Sequence, residues 1–161
     1  MFLATVLAAC TPAGNASTPV NAAEIERLFD DELEPPTVGI TLGAYETRDD
    51  STVLARARLA EAITRAEVTD ILPMAGGGWL IELTTREALR GGPSAPRALA
   101  IEARPGSHAA SLVENFRPNF ERAHLIVFAR RFARANERER WHVRAVADTA
   151  EIRELIARPA P

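Results

Sequence analysis

The chain has 161 residues, 47% of them hydrophobic and 25% charged, with a formal charge of −3 and a single cysteine. That is enough chain for one domain with its own core plus tails, and too little positive charge for a surface that neutralises many phosphates, so nucleic acid is excluded as an expected partner. One cysteine builds neither an intramolecular disulfide framework nor a cysteine-rich metal site. All 19 basic residues are arginine, and lysine and glutamine are absent. Together with abundant alanine this reads as GC-rich codon usage, which blunts helix propensity as a signal.

The first stretch, "MFLATVLAAC", is a short apolar run (residues 2–9) ending in Cys10, followed by small polar residues. It is far short of the roughly twenty residues that span a bilayer. Leu7-Ala8-Ala9-Cys10 resembles the bacterial lipobox, in which the cysteine is diacylated and becomes N-terminal after cleavage. That resemblance implies a signal h-region at 1–9, lipidation at Cys10 and a flexible tether at 10–20. It places the protein in the cell envelope, held to the membrane by its acyl chains. Thr11, where inner-membrane retention uses Asp, resembles lipoproteins passed to an outer membrane facing the periplasm. No basic n-region precedes the apolar run, because the first arginine is Arg27. The expected explanation is an earlier start.

A single globular domain is expected over 21–161. "NAAEIERLF" starts on Asn21, a good N-cap, and sets Ile25, Leu28, Phe29 and Leu33 on one helical face before Pro35-Pro36. "TVGITLGAY" suits an extended or edge segment. "STVLARARLAEA" supports two readings. Its propensity is helical, with Asp50 or Ser51 as cap, whereas Val53, Ala55, Ala57 and Leu59 alternate as in a half-buried strand. With propensity discounted, a strand to about Ala62 is expected; the alternative is an α+β fold with residues 52–68 helical.

Further on, "TDILPMAGGG" reads as a turn-rich connection, and "WLIELTTREAL" and "RALAIEA" as alternating strands. "SHAASLVENF" forms a short helix from Ser107. "HLIVFARRF" is apolar on both faces, as a central strand is. "RWHVRAVA" alternates again, with His142 on what reads as the outward face. A C-terminal helix at about 148–157 has Asp148 and Glu151 at capping-box spacing.

This order of strands, with a helix between the third and fourth, is that of a mainly β, five-stranded OB-like Greek-key barrel with short flanking helices, its core at about 51–146. "STVLARARLAEA", "WLIELTTREALRGG", "ALAIEARPG", "NFRPNFERAHLIVFARR" and "RWHVRA" resemble the netrin-like OB-folds shared by tissue inhibitors of metalloproteinases and many bacterial secreted proteins. Leu89-Arg90-Gly91, and Phe120 with Leu125-Ile126-Val127-Phe128, match that family's strand endings and entrances. The inhibitors chelate a target zinc through a free N-terminal cysteine and are held by disulfides. This chain departs on both points, so inhibition is not carried over.

Candidates for chemistry are few. His108, His124 and His142 have no HxH or HExxH spacing, and no metal or cofactor is expected. Ser107-His108 lacks a nucleophile elbow. "AGGGW" lacks the Gly-Lys-Ser/Thr ending of a phosphate loop and reads as a hairpin turn. Trp79 and Trp141 are core anchors or, beside an arginine, sugar or peptide contacts. The expected function is an envelope-anchored lipoprotein with a non-catalytic OB-like domain that binds an envelope protein or polymer through Trp79, Trp141 and His142. The alternative is a small periplasmic metal-dependent or hydrolytic enzyme using His108, His124 or His142.

Overall fold

The stretch in which helix and strand compete is a helix followed by a strand. In the computed structural model, which describes residues 21–41 and 49–158, α2 (Asp50–Leu59) ends at Ala60 and β2 (Ala62–Pro73) begins two residues later. The strand expected to run up to Ala62 is therefore corrected. Asp49 caps the helix, its carboxylate accepting from the Ser51 N–H (3.0 Å), the Ser51 hydroxyl (2.6 Å) and the Thr52 hydroxyl (2.5 Å). These hydroxyl bonds, the largest cause, lower the Asp49 pKa to about 2. Val53, Arg56 and Ala57 form the buried stripe at helical spacing. The alternation of Ala and Arg that suggests a strand carries no buried face. Cys10 and the tether lie outside the described residues.

The other elements are α1 (Ala22–Leu28), β1 (Glu32–Leu33), a 3-10 turn at Pro35–Val38, β3 (Trp79–Arg90), β4 (Ala98–Ala103), α3 (His108–Phe120), β5 (His124–Phe132), β6 (Arg140–Ala147) and α4 (Ala150–Ala157). Asn21 caps α1 and Ser107 caps α3, as their sequence positions predict. α4 is capped by Thr149 and not by Asp148, whose carboxylate instead receives Arg65 at 2.8 Å. The turn-rich connection expected at 69–78 narrows to residues 74–78, because β2 runs through Asp70 to Pro73 against β3.

The six strands form one sheet in the order β1-β6-β5-β2-β3-β4. β2 to β6 are thus the five strands of an OB-like Greek key, with α3 between its third and fourth strands. The sixth, β1, adds in parallel to the edge of β6, Glu32 opposite Arg144 and Leu33 opposite Ala145. The sheet curls until Arg140 on β6 reaches Glu102 on β4 at 3.0 Å, making a nearly closed barrel. Register shifts in β2 near Ile63, Arg65 and Val68 help it curl.

The sheet carries a core on each face. Inside the barrel, Ala62, Ala66, Ile81, Leu83, Leu99, Ile101, Leu125, Val127, Val143 and Ala145 meet Leu112, Val113 and Phe120 of α3. On the outer face, Ile63, Ile126, Phe128 and Val146 are covered by Leu28 and Phe29 at the end of α1, Val53 and Ala57 of α2, and Ile152 and Leu155 of α4. That second cover explains why β5 is apolar on both faces. Arg90 and Arg130 reach from the sheet to the Ala57 and Leu59 carbonyls, placing cations at the C-terminus of α2.

The β2–β3 hairpin needs glycine at its end. Gly78 has φ +80°, and a Cβ there would run into the carbonyl oxygen of Ala103. Gly78→Ala therefore adds a left-handed-backbone cost of about 1–2 kcal/mol to an overpacking cost of about 1–3 kcal/mol. Gly76→Ala, at φ +92° with nothing within 4 Å, carries only the first. Urea unfolding of the pair should show Gly78→Ala clearly the less stable; equal midpoints would mean that the hairpin shifts away from β4.

Candidate functional site

Only half of the outer barrel face is covered by helices. Beyond the reach of α2 and α4, the outward residues of β2, β3 and β4 border a cleft of about 460 Å³. Its floor is Thr69, Glu82, Thr84, Ala98 and Ala100, and its rim is Glu102, Arg140 and Trp141. The floor is nearly flat because Ala98 pairs with Thr84 and Ala100 with Glu82 across the ladder, giving small side chains on one strand and polar ones on the other. The Thr69 hydroxyl donates to the Glu82 carbonyl at 3.3 Å where β2 changes register.

Trp141 is half-buried, packed on the barrel interior. The Arg131 guanidinium lies 5.8 Å from its ring centroid, within cation–π range. Arg140 is held in place, with one nitrogen 3.0 Å from Glu102 and 3.1 Å from Asp31. The neighbouring loop (133–139) is tied to the end of β4 by Arg104 and Glu137 at 2.8 Å, which with Arg140 nearby lowers the Glu137 pKa. In OB-folds the face of the second and third strands and the loops beside it take polymeric ligands. β3 and β4 are the corresponding strands here.

Asp31 is the centre of a second cluster, on the same outward face of β6 as Arg140. It is 3% exposed and adopts φ +61°. Its carboxylate accepts from the Val143 N–H (3.0 Å), His142 Nδ1 (2.9 Å) and Arg140 (3.1 Å), with Arg134 3.3 Å away. Its own N–H donates to the Val143 carbonyl at 2.9 Å. Beside it, Asp30 takes Arg144 (3.1 and 3.0 Å) and Glu34 takes Arg56 (2.9 Å). Burial, then the neighbouring Arg144, push the Arg56 guanidinium down against the pull of Glu34.

The structure separates the three residues expected to bind together. Trp141 lines the cleft. Trp79 packs against the interior core with Arg117 of α3 5.3 Å from its ring centroid, and Arg117 is itself bonded to the Ile71 carbonyl at 2.9 Å. His142, expected on an outward surface, is fully buried and stacked on Phe132 at 4.2 Å. Its outward face is correct; what the alternation does not show is that residues 29–31 cover that face. His124 is exposed, 3.7 Å from Glu67, and His108 is exposed at the start of α3. Among the described residues no group of three or more His, Cys, Asp or Glu side chains could hold a metal ion.

A larger cleft, about 590 Å³, lies between Pro36–Gly39 and the end of α3, with His124 and Asp148 on its wall. Asp148 is already engaged by Arg65 at 2.8 Å and Arg153 at 2.9 Å, and among the described residues no Phe, Tyr or Trp ring lines this cleft. The cleft on β3 and β4 has the better ligand chemistry, because an aromatic ring, a guanidinium and two carboxylates border one flat floor. Sequence reasoning missed Asp31, Arg140, Glu82 and Glu102; the run Asp30-Asp31-Glu32 was the available signal, as a dense acidic segment on a chain whose later strands carry arginines. No family model matches the chain, and no curated protein and no solved structure is found similar to it.

Proposed function

We propose that this chain is an envelope-anchored lipoprotein whose OB-like barrel binds a partner, without catalysis, through the cleft on β3 and β4. The observation that carries the binding half is that cleft, open on the uncovered half of the barrel and rimmed by Trp141, Arg140 and Glu102. The occupant is a segment of an envelope protein or polymer, extended enough to lie along two strands and polar enough to meet Glu82 and Thr84. The anchor half rests on the lipobox-like Leu7-Ala8-Ala9-Cys10. Among the described residues no helix is long and apolar enough to cross a membrane.

Photo-cross-linking in the native host tests the binding half. A benzophenone side chain in place of Thr84 or Ala98 is expected to give a discrete adduct, and one in place of Arg153 on α4 is expected to give none. Trp141→Ala should weaken capture at Thr84 at least about tenfold, or 1.4 kcal/mol. Equal labelling from both faces, or no adduct from either cleft position, rejects the cleft. Palmitate labelling tests the anchor: incorporation should vanish in Cys10→Ser, and an unlabelled wild type rejects it.

A further inference from the structure

Residues 30–34, Asp-Asp-Glu-Leu-Glu, lie along the free edge of β6 as a strap, and each acid meets a donor on β6 or on a helix packed against the sheet. Asp30 takes Arg144, Glu34 takes Arg56, and Glu32 accepts the Ala109 N–H in the first turn of α3 at 2.6 Å. Leu33 is buried in the barrel interior and anchors the far end. Of the four acids, Asp31 alone is bonded to a group that titrates near neutrality, the His142 ring. Asp31 also holds Arg140, which reaches across the barrel seam to Glu102 at the cleft rim. One guanidinium therefore joins the strap to the cleft.

We propose that the Asp31–His142 pair is an acid-released latch, in which protonation of His142 loosens the Asp30–Asp31 turn from β6 and frees Arg140 at the rim of the cleft. The second half rests on the proposed binding cleft; the first does not.

The geometry supports the direction. A carboxylate only accepts, so the neutral ring carries its proton on Nδ1 and donates to Asp31. Nε2 is then a bare acceptor, fully buried and without a hydrogen-bond partner among the described residues. Protonation places a second N–H at that position, where burial leaves it neither water nor an acceptor. It also adds a cation where cations are already crowded. Arg134 and Arg140 share Asp31; Arg130 stands directly across β5 with its guanidinium on the Leu59 carbonyl; and Arg56 bonds to the Leu28 carbonyl. Asp31 is the carboxylate that faces the ring, since Asp30 and Glu34 are bonded to Arg144 and Arg56.

Burial is the largest cause holding the His142 pKa down; Asp31 pulls it up, and Arg140 and Arg134 push it down again. The closed state therefore binds its proton less readily than the open one, whose imidazole titrates at the ordinary value of about 6.5. The latch is fully held above that value and is progressively lost as pH falls below it toward the closed-state value.

Amide hydrogen exchange on the full chain between pH 7.5 and 5.5 tests the latch. With rates corrected for intrinsic exchange, opening at the Asp31 and Val143 amides should rise, by up to about tenfold, the limit set by uptake of one proton on opening. The amides of the β2–β5 ladder should not change, and the Arg140 Nε–H signal should shift over the same range. His142→Asn, whose amide still donates to Asp31 without titrating, should abolish the response. Retained protection at Asp31 and Val143, a His142 ring that titrates at or above the ordinary value, or equal loosening of the β2–β5 ladder would overturn the latch. If His142→Asn does not fold, the wild-type ring titration and exchange decide. A static Arg140 signal beside an opening turn overturns the link to the cleft alone, and absence of cross-linking at both Thr84 and Ala98 rejects the cleft while leaving the exchange result intact.

Discussion

Asp31→Ala is expected to destabilise the protein by about 3 kcal/mol, the lower end of the range for removing one partner of a buried ion pair. The lower end applies because Arg134 and Arg140 keep part of their surface in water. The cost falls on what is left behind: the Val143 N–H, the His142 Nδ1–H and two guanidinium groups that face one another without their carboxylate. Asp31→Asn separates charge from shape. Asparagine tolerates the left-handed backbone and still accepts from the Val143 N–H, so about half of the loss should remain, on the order of 1.5 kcal/mol for the charged hydrogen bonds. Urea midpoints at pH 7.5, where His142 is neutral, measure both. A stability within about 0.5 kcal/mol of wild type for Asp31→Ala would show that the bonds to Asp31 add nothing to the hold of α1 and the strap on the barrel.

Phe128→Ala should cost about 3–5 kcal/mol, as for other fully buried aromatics. Phe128 sits on β5 between Ile63 of β2 and Arg144 of β6, at full burial, in the outer core that joins the sheet to α1, α2 and α4. Its neighbours lie on separate elements tied to the sheet by their own bonds, so they close the cavity only in part. Against a typical total of 5–15 kcal/mol, this variant loses a large share of its stability. Phe116→Ala is the control, at a kink in α3 with Pro118 two residues on and 36% of its surface exposed. It should stay within about 0.5 kcal/mol of wild type. Similar losses in the two variants would mean that the outer core is not a cooperative part of the fold.

The outer core also marks where sequence reasoning succeeds and fails. The two-faced apolar run of β5 correctly predicts a central strand, and the alternations in β3 and β4 correctly predict half-buried ones, whereas β6 alternates in sequence and is buried on both faces. Asp50–Leu59 was read against its own propensity, because Ala and Arg at every second position look like a pleat. What settles it is a local cap at Asp49 together with a stripe at Val53, Arg56 and Ala57 that finds an apolar surface to cover. The same apolar surface accounts for His142. Period-two alternation reports which side of a strand a residue occupies and is silent on whether another element lies over that side.

Of the candidate site, Trp141 was legible as a residue and invisible as a place. Its cleft exists because β4 curls round to β6 while the helices cover only the other half of the outer face. Glu82, Glu102 and Arg140 are separated in sequence and meet through the register of three strands. Asp31 was hidden more deeply, since nothing in "FDDELE" tells which of its acids will be enclosed by arginines from the far end of the chain.

Elements with local signals are legible in the chain alone: caps at Asn21 and Ser107, the glycine turn before Trp79, and the later strands with the helix before β5, whereas the first strand of the Greek key lies beyond the stretch that alternates. The tertiary structure alone decided the sixth strand, the burial of His142, the Asp31 cluster and the position of the cleft. Caps and periodicity arise within a few residues of the chain, where backbone sterics and hydrogen bonding act. Burial and ion pairing depend on which distant surfaces come together, and here segments more than a hundred residues apart share one carboxylate.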